Sequence, residues 1–185
     1  MPDYPIRIVQ FLVSPAHAYF GRPKDGPAEV PTELPAQIEC VAGKGIRGDR
    51  FFNIRAHTEA AVTFLAAEAW DAACVEAGSS APPELARRNI VVHGVELDRL
   101  RGEDFTITTE QGSVGFRGGR PAHPCAWMDI VIAPGMRKAL VGRGGIRAGV
   151  LSDGVLGLGE ATLSCDVPLD AARAAVPVMR AQPLG

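Results

Sequence analysis

The sequence predicts a β-rich α+β domain, a partly closed and mostly antiparallel β-barrel with a few short helices. Three observations point there. Short β-branched and apolar stretches recur along the whole 185-residue chain, bounded by Gly, Pro or polar turn residues, as many short strands would be. Stretches with helical spacing are too few and too scattered for regular βαβ alternation. No internal repeat or linker divides the chain, so residues 1–168 are expected to form one domain and 169–185 a tail. Closing the sheet removes exposed strand edges, which favours the barrel.

Taken in order, 6–13 is β-branched and apolar and reads as the first strand. Residues 14–36 are dense in proline, which few helices or inner strands survive. They are expected to form an irregular loop, either a lid or plain surface. A second strand over 36–42 ends where Gly43, Gly45 and Gly48 interleave with Lys44, Arg47, Asp49 and Arg50. Amides and cations so mixed suit an anion, although the Lys-Ser/Thr ending of a phosphate-binding P-loop is missing. By itself the stretch fits a glycine turn with solvated charges better. Residues 61–65 read as a strand. Ala66, Ala69, Trp70, Ala73, Cys74 and Ala77 then recur at helical spacing with Gly78 as the stop, which puts Cys74 in the core. Glu68, early in that helix, suits its dipole.

Pro82 to Leu85 opens a short helical turn with proline at its start. Arg87, Arg88 and Asn89 lead into the buried-looking strand 90–92. There they either converge on an anionic ligand or cap the turn and pair with surface acids. Residues 95–100 suit a short helix closed by Gly102. The stretches 105–109 and 113–116 flank a turn and read as a hairpin. Residues 136–141 suit a short helix ended by Gly142, and 143–147 form another glycine-and-arginine turn. Strands at 148–151 and 161–165 are joined by the glycine-rich 152–159, with Cys165 structural at a strand end. Beyond Pro168 a short helix over 171–176 and some fraying are expected.

Composition narrows the function. Apolar residues make up 46% and charged residues 22%, and the net charge is −2, so nothing favours a nucleic-acid or membrane partner. Four cysteines, at 40, 74, 125 and 165, form no CxxC pair, which argues against structural zinc and for a reducing compartment. With no membrane-length apolar run and no signal-peptide pattern in 1–12, a cytoplasmic location is expected. Sixteen of the nineteen basic residues are arginine, the planar partner of phosphate and carboxylate. A GC-rich coding bias accounts for that total but not for where the arginines sit.

The chemistry is placed at 118–128, Gly-Gly-Arg-Pro-Ala-His-Pro-Cys-Ala-Trp-Met. Cys125 alone among the cysteines has polar and cationic sequence neighbours. Arg120 and His123 both stabilise a thiolate when close to it, the form that is nucleophile, sulfur acceptor and soft metal ligand. Gly118 and Gly119 are expected to free the backbone and two prolines to stiffen it. The same residues also fit a cysteine packed as a small hydrophobe, and this stretch alone leaves both open. His17, His57 and His93 stay open between a structural and a catalytic role, a lone histidine being more often structural.

Four segments in order (45–50, 87–91, 124–128 and 142–145), followed by 148–154, resemble MOSC domains, which are named for the C-terminal domain of molybdenum cofactor sulfurases. The resemblance spans roughly residues 38–165. It implies a barrel-like fold and molybdenum-cofactor or sulfur chemistry. Cys125 would carry a persulfide sulfur or ligate molybdenum. Gly48, Asp49, Arg50, Arg87, Arg88, Asn89 and Arg143, with Arg120 and His123 nearby, would hold the phosphate and pterin of molybdopterin or place the cysteine. The chain departs from the family pattern at Phe51, where His or Lys is usual, and at Gly159-Glu160, where Gly-Asp is usual. Pyridoxal phosphate is not supported. The resemblance leaves three readings: a sulfur carrier loaded by a partner such as a cysteine desulfurase, a molybdopterin oxidoreductase acting on N-hydroxylated compounds, and a non-catalytic small-anion module.

Overall fold

The computed structural model describes residues 1–179. Strand β1 (Asp3–Phe11) starts earlier and ends earlier than expected, and a bulge between Ile8 and Gln10 explains its pattern. Ile6 and Ile8 point inward; the extra residue shifts the phase, so Phe11 also points inward. β2 (Gln37–Val41) and β3 (Gly45–Ile46) follow the long loop. β4 (Val62–Ala66), α1 (Ala67–Ala77) and β5 (Ile90–His93) form one departure from the antiparallel plan: β4 and β5 pair in parallel, with the helix between them in the chain. Both strands are buried on two faces, by the barrel interior and by helices, so they read as unbroken apolar runs. Gly78 stops α1 in a left-handed conformation with its N–H on the Cys74 and Val75 carbonyls. Glu68 does more than complement the helix dipole: its Oε1 accepts the Gly94 N–H at 2.6 Å, tying α1 to the end of β5.

The hairpin is β6 (Asp104–Thr109) and β7 (Gly112–Pro121). β7 runs on through Gly118 and Gly119, which adopt no positive φ. The reason for glycine there is proximity rather than torsional freedom: a Cβ on Gly118 would lie 1.8 Å from the Leu100 carbonyl oxygen. Helices α2 (Trp127–Val131) and α3 (Met136–Ala139) precede β8 (Ile146–Val150). The glycine-rich joint after it contains β9 (Gly154–Gly157), and β10 (Gly159–Cys165) completes the set.

The barrel closes in the order β1-β10-β6-β7-β8-β4-β5, with β1 hydrogen-bonded to β5. The closure is complete, because the parallel β4–β5 pair bridges the last gap. A small sheet, β3-β2-β9, packs beside it. Phe64, Phe105 and Phe116 fill the interior with ring centroids 5.2–5.6 Å apart, a geometry worth about 0.5–1.5 kcal/mol per pair beyond area burial. A second apolar cluster of Trp70, Cys74, Trp127, Met128 and Met136 lies between the helices and the outward side chains Leu65 and Val91. Cys74 is thus in a core, as expected.

The segment after Pro168 is pinned as far as Met179. A 3-10 turn at Ala171–Arg173 replaces the longer helix, Ala174 is buried, and the Val178 N–H reaches the Gly142 carbonyl at 2.8 Å. The remainder of the expected tail, 180–185, lies outside the described residues. Gly145 holds the entry to β8 with φ of +91°, where a Cβ would fall 1.8 Å from the Phe64 carbonyl oxygen. Gly145→Ala combines torsional strain with an unavoidable clash and is expected to cost about 2–5 kcal/mol, read as a lower urea midpoint at unchanged slope.

Candidate functional site

One rim of the barrel gathers the end of β1, the start of β5, the end of β7 and the start of β8. Pairings of Phe11 with Ile90 and of Pro121 with Ile146 bring these ends together. The chain then adds the 14–36 loop and the turn around Asp49. Cys125 lies just beyond β7 and is exposed, whereas Cys40, Cys74 and Cys165 are buried. Burial pushes the Cys40 thiol up to about 12 and raises those of Cys74 and Cys165. Cys125 is therefore the sulfur a partner can reach.

Arg88 shapes the ground beside it. Its guanidinium donates from Nε to the Gly144 carbonyl at 3.1 Å, from Nη1 to Ala86 at 3.1 Å and from Nη2 to Ala122 at 3.0 Å. One side chain thus clips together three segments of the rim. No carboxylate pairs with it among the described residues. Loss of hydration and repulsion from Arg147 pull its pKa down to about 10, and a Cys125 thiolate and Tyr19 act against that pull. Cys125 lies within electrostatic reach of this cation.

Arg50, Arg87 and Arg147 crowd the same rim. Arg50 Nη1 meets the fully buried Asp49 carboxylate at 3.2 Å and its Nη2 meets the Arg87 carbonyl. Arg87 takes a left-handed φ of +52°, held there by bonds from its guanidinium to Thr32 Oγ1 at 3.0 Å and the Ala16 carbonyl at 3.1 Å. Arg147 stands over the Phe51 ring at 6.0 Å and Arg50 over it at 5.0 Å. Burial lowers the pKa of all three, and the cations depress one another: Arg87 acts on Arg50, and Arg120 and Arg50 act on Arg147. Asp49 is the one carboxylate bonded into this group among the described residues.

Asn89 is fully buried and spent on structure. Its side-chain oxygen accepts from Thr63 N–H and Oγ1, and its amide donates to Leu12 O and Asp49 Oδ2. Asp49 and Asn89 therefore place Arg50 and leave no polar atom for a ligand. Gly48 (φ +84°) makes the turn that delivers Asp49 and Arg50. Arg143 is engaged elsewhere: its guanidinium meets Glu76 at 2.6 Å and the Ala139 carbonyl at 2.7 Å. The adjoining turn sets the strand entry, while this arginine faces α1. Arg120 and His123 are exposed; Arg120 adds to the positive field at Arg147, and His123 faces a separate cavity.

Sequence reasoning missed four contributors. The start of the 14–36 loop borders the site, where Ser14 and Ala18 are buried, and supplies His17 and Tyr19. Tyr19 stacks on Trp127 at 5.6 Å, lies under Arg87 at 5.8 Å and donates to the Leu85 carbonyl. Arg147 and Phe51 complete the set. Irregular loops carry no periodic signal, but an arginine outward-facing on a strand beside Gly-Gly was a usable cue. His17 packs edge-on to Phe51 at 5.1 Å. Lost hydration on that face, then Arg50 and Arg87, push its pKa below 6.5, with Asp49 opposing and His57 assisting. A lowered histidine pKa means the folded chain holds its neutral form, so stability declines as pH falls below the unfolded value. A bound anion reverses the repulsion and draws in a proton. Sulfate, whose charge is constant in this range, is expected to bind several-fold tighter at about pH 5.5 than at about pH 7.5, and His17→Gln should flatten that slope in calorimetric titrations.

The fold and rim together define a class: a closed β-barrel that presents one accessible cysteine beside a group of desolvated arginines. The family model for the MOSC domain matches residues 52–162, which include Cys125, Arg87, Arg88 and Arg147. The chain belongs to the MOSC domain family. Solved structures agree on the fold. The YUAD protein from Bacillus subtilis superposes with a TM-score of 0.70 at 13% identity, covering 90% of this chain and 99% of that one. YiiM from Geobacillus stearothermophilus gives 0.60 at 18% identity, covering 88% and 75%, and YiiM from Escherichia coli gives 0.55 at 15%, covering 95% and 76%. No curated protein matches the chain. No described helix is long and apolar enough to cross a membrane.

Proposed function

We propose that the chain is a molybdenum-cofactor-related sulfur carrier, in which Cys125 accepts a sulfur atom beside a pocket that binds the phosphate and pterin of molybdopterin. One observation carries this reading: the only exposed cysteine adjoins arginines left short of carboxylate partners. The residues suit the group. A phosphate would supply negative charge to Arg87 and Arg147, which have no carboxylate partner among the described residues, and would add to Asp49 at Arg50; charged hydrogen bonds to it are the strong kind. The Tyr19–Trp127 stack offers an aromatic edge for a flat pterin. No cluster of three His, Cys, Asp or Glu able to hold a metal occurs among the described residues, so molybdenum would arrive already held by the cofactor's sulfurs. When bound, that cofactor supplies redox and sulfur-transfer chemistry.

The carrier step is a thiol exchange. The Cys125 thiolate attacks the outer sulfur of a desulfurase persulfide; a new S–S bond forms on Cys125, the donor's S–S bond breaks, and the donor leaves as a thiolate. The Arg88 charge steadies the anion before and after attack. Exposure of Cys125 gives a protein donor access. The second reading, an oxidoreductase with Cys125 as molybdenum ligand, draws on the same soft sulfur and the lack of another ligand cluster.

Loading by a persulfide-bearing cysteine desulfurase tests the first reading. Mass spectrometry should find one added sulfur, on the Cys125 peptide. Equal loading of Cys125→Ser would refute it, and stoichiometric molybdenum in protein that takes up no sulfur would establish the second.

A further inference from the structure

A cavity of about 420 Å³ opens next to the cysteine rim, and Cys125, Arg50, Arg87, Arg88 and Arg147 take no part in its lining. Its size is within the range of small-molecule sites, roughly 300–1,000 Å³. Ala66 and Ala69 leave space where larger side chains would fill it, and Ala174, Val176, Val178 and Met179 line the opposite part. That part is fastened at Gly142 by the Val178 N–H and at Glu96 by Arg173. Leu97, Ile146, Val176 and Val178 make the walls apolar.

The polar groups at its mouth specify the occupant. Arg143 is neutralised by Glu76, Arg101 by Asp98 and Arg173 by Glu96. With the pairs balanced, the cavity holds no field for a polyanion such as the phosphate of the neighbouring pocket. Arg173 nevertheless spends only Nε on Glu96, at 2.9 Å; its two terminal nitrogens make no other bond among the described residues. That planar pair matches one carboxylate bidentately. We infer that this cavity binds an apolar monocarboxylate, with the hydrocarbon along Ala66, Leu97 and Val176 and the carboxylate on Arg173. The inference stands apart from the cofactor reading.

Calorimetric titration with octanoate tests it, with octylamine and octanol as controls. Octanoate should bind saturably at one site, octylamine not at all and octanol more weakly. Arg173→Gln should weaken octanoate about ten-fold or more. Val176→Trp, at a half-exposed wall position that tolerates bulk, should abolish binding while the circular dichroism spectrum is unchanged. Cys125→Ser and Arg147→Gln should bind octanoate as the parent does, even if sulfur loading fails. No saturable octanoate binding, equal binding of octylamine, or indifference to both Arg173→Gln and Val176→Trp would overturn the inference.

Discussion

Arg88→Ala is expected to destabilise the protein by about 3–5 kcal/mol, lowering the calorimetric midpoint by roughly 10 °C. Two effects compete. Arg88 is a cation pulled out of water without a carboxylate, so removing it relieves a desolvation cost and its repulsion with Arg147. Against that, the carbonyls of Ala86, Ala122 and Gly144 lose their donor together, and each stranded acceptor costs about 1–3 kcal/mol. Three such losses exceed the relief. Arg88→Lys should recover less than half, because one ammonium cannot reach three diverging carbonyls. Since the Ala122 and Gly144 bonds fix the chain on either side of Cys125, sulfur acceptance by Arg88→Lys should fall more than its stability does.

Arginine 147 gives the opposite signature. No hydrogen bond or ion pair holds its guanidinium among the described residues; it rests on Phe51, near Arg50 and Arg120. Arg147→Gln should leave stability within about 0.5 kcal/mol of the parent, or raise it slightly by thinning the positive cluster. Anion affinity should instead fall about 10- to 100-fold, the worth of one charged hydrogen bond. Sulfate titration beside a denaturant curve separates the two quantities. The contrast between Arg88 and Arg147 divides the cluster into one arginine that builds the rim and one held ready for a ligand.

Much of this was legible in the residues. β-branched runs between Gly and Pro gave the strands, and the apolar spacing of 66–77 gave α1. Cys125 stood out by its neighbours and is the exposed one. Arg87 and Arg88 could be placed at the mouth of β5 because a polar pair enters an apolar strand there. Other features depend on contacts distant in sequence. Gly118 and Gly119 were expected to free the backbone, yet they lie in β7 without positive φ; at Gly118 the Leu100 carbonyl passes too close for a side chain, and at Gly119 the Arg147 and Glu59 carbonyls stand 3.1 Å from where a Cβ would lie. Complete closure needed the parallel β4–β5 pair, which local pattern does not announce. Arg143 sits in a motif-like turn, but Glu76, on a helix nearly seventy positions earlier, decides its direction. The 14–36 loop offers no period to read, so His17 and Tyr19 were invisible as site residues.

The most direct measurement is the amount of pterin phosphate retained by the protein after purification from a host that makes molybdopterin. The account predicts near-stoichiometric pterin in the parent chain and its loss in the Arg50→Gln/Arg147→Gln double variant, with the barrel still folded. A parent chain free of pterin that takes up none when cofactor is added, or a double variant that retains as much as the parent, would contradict it.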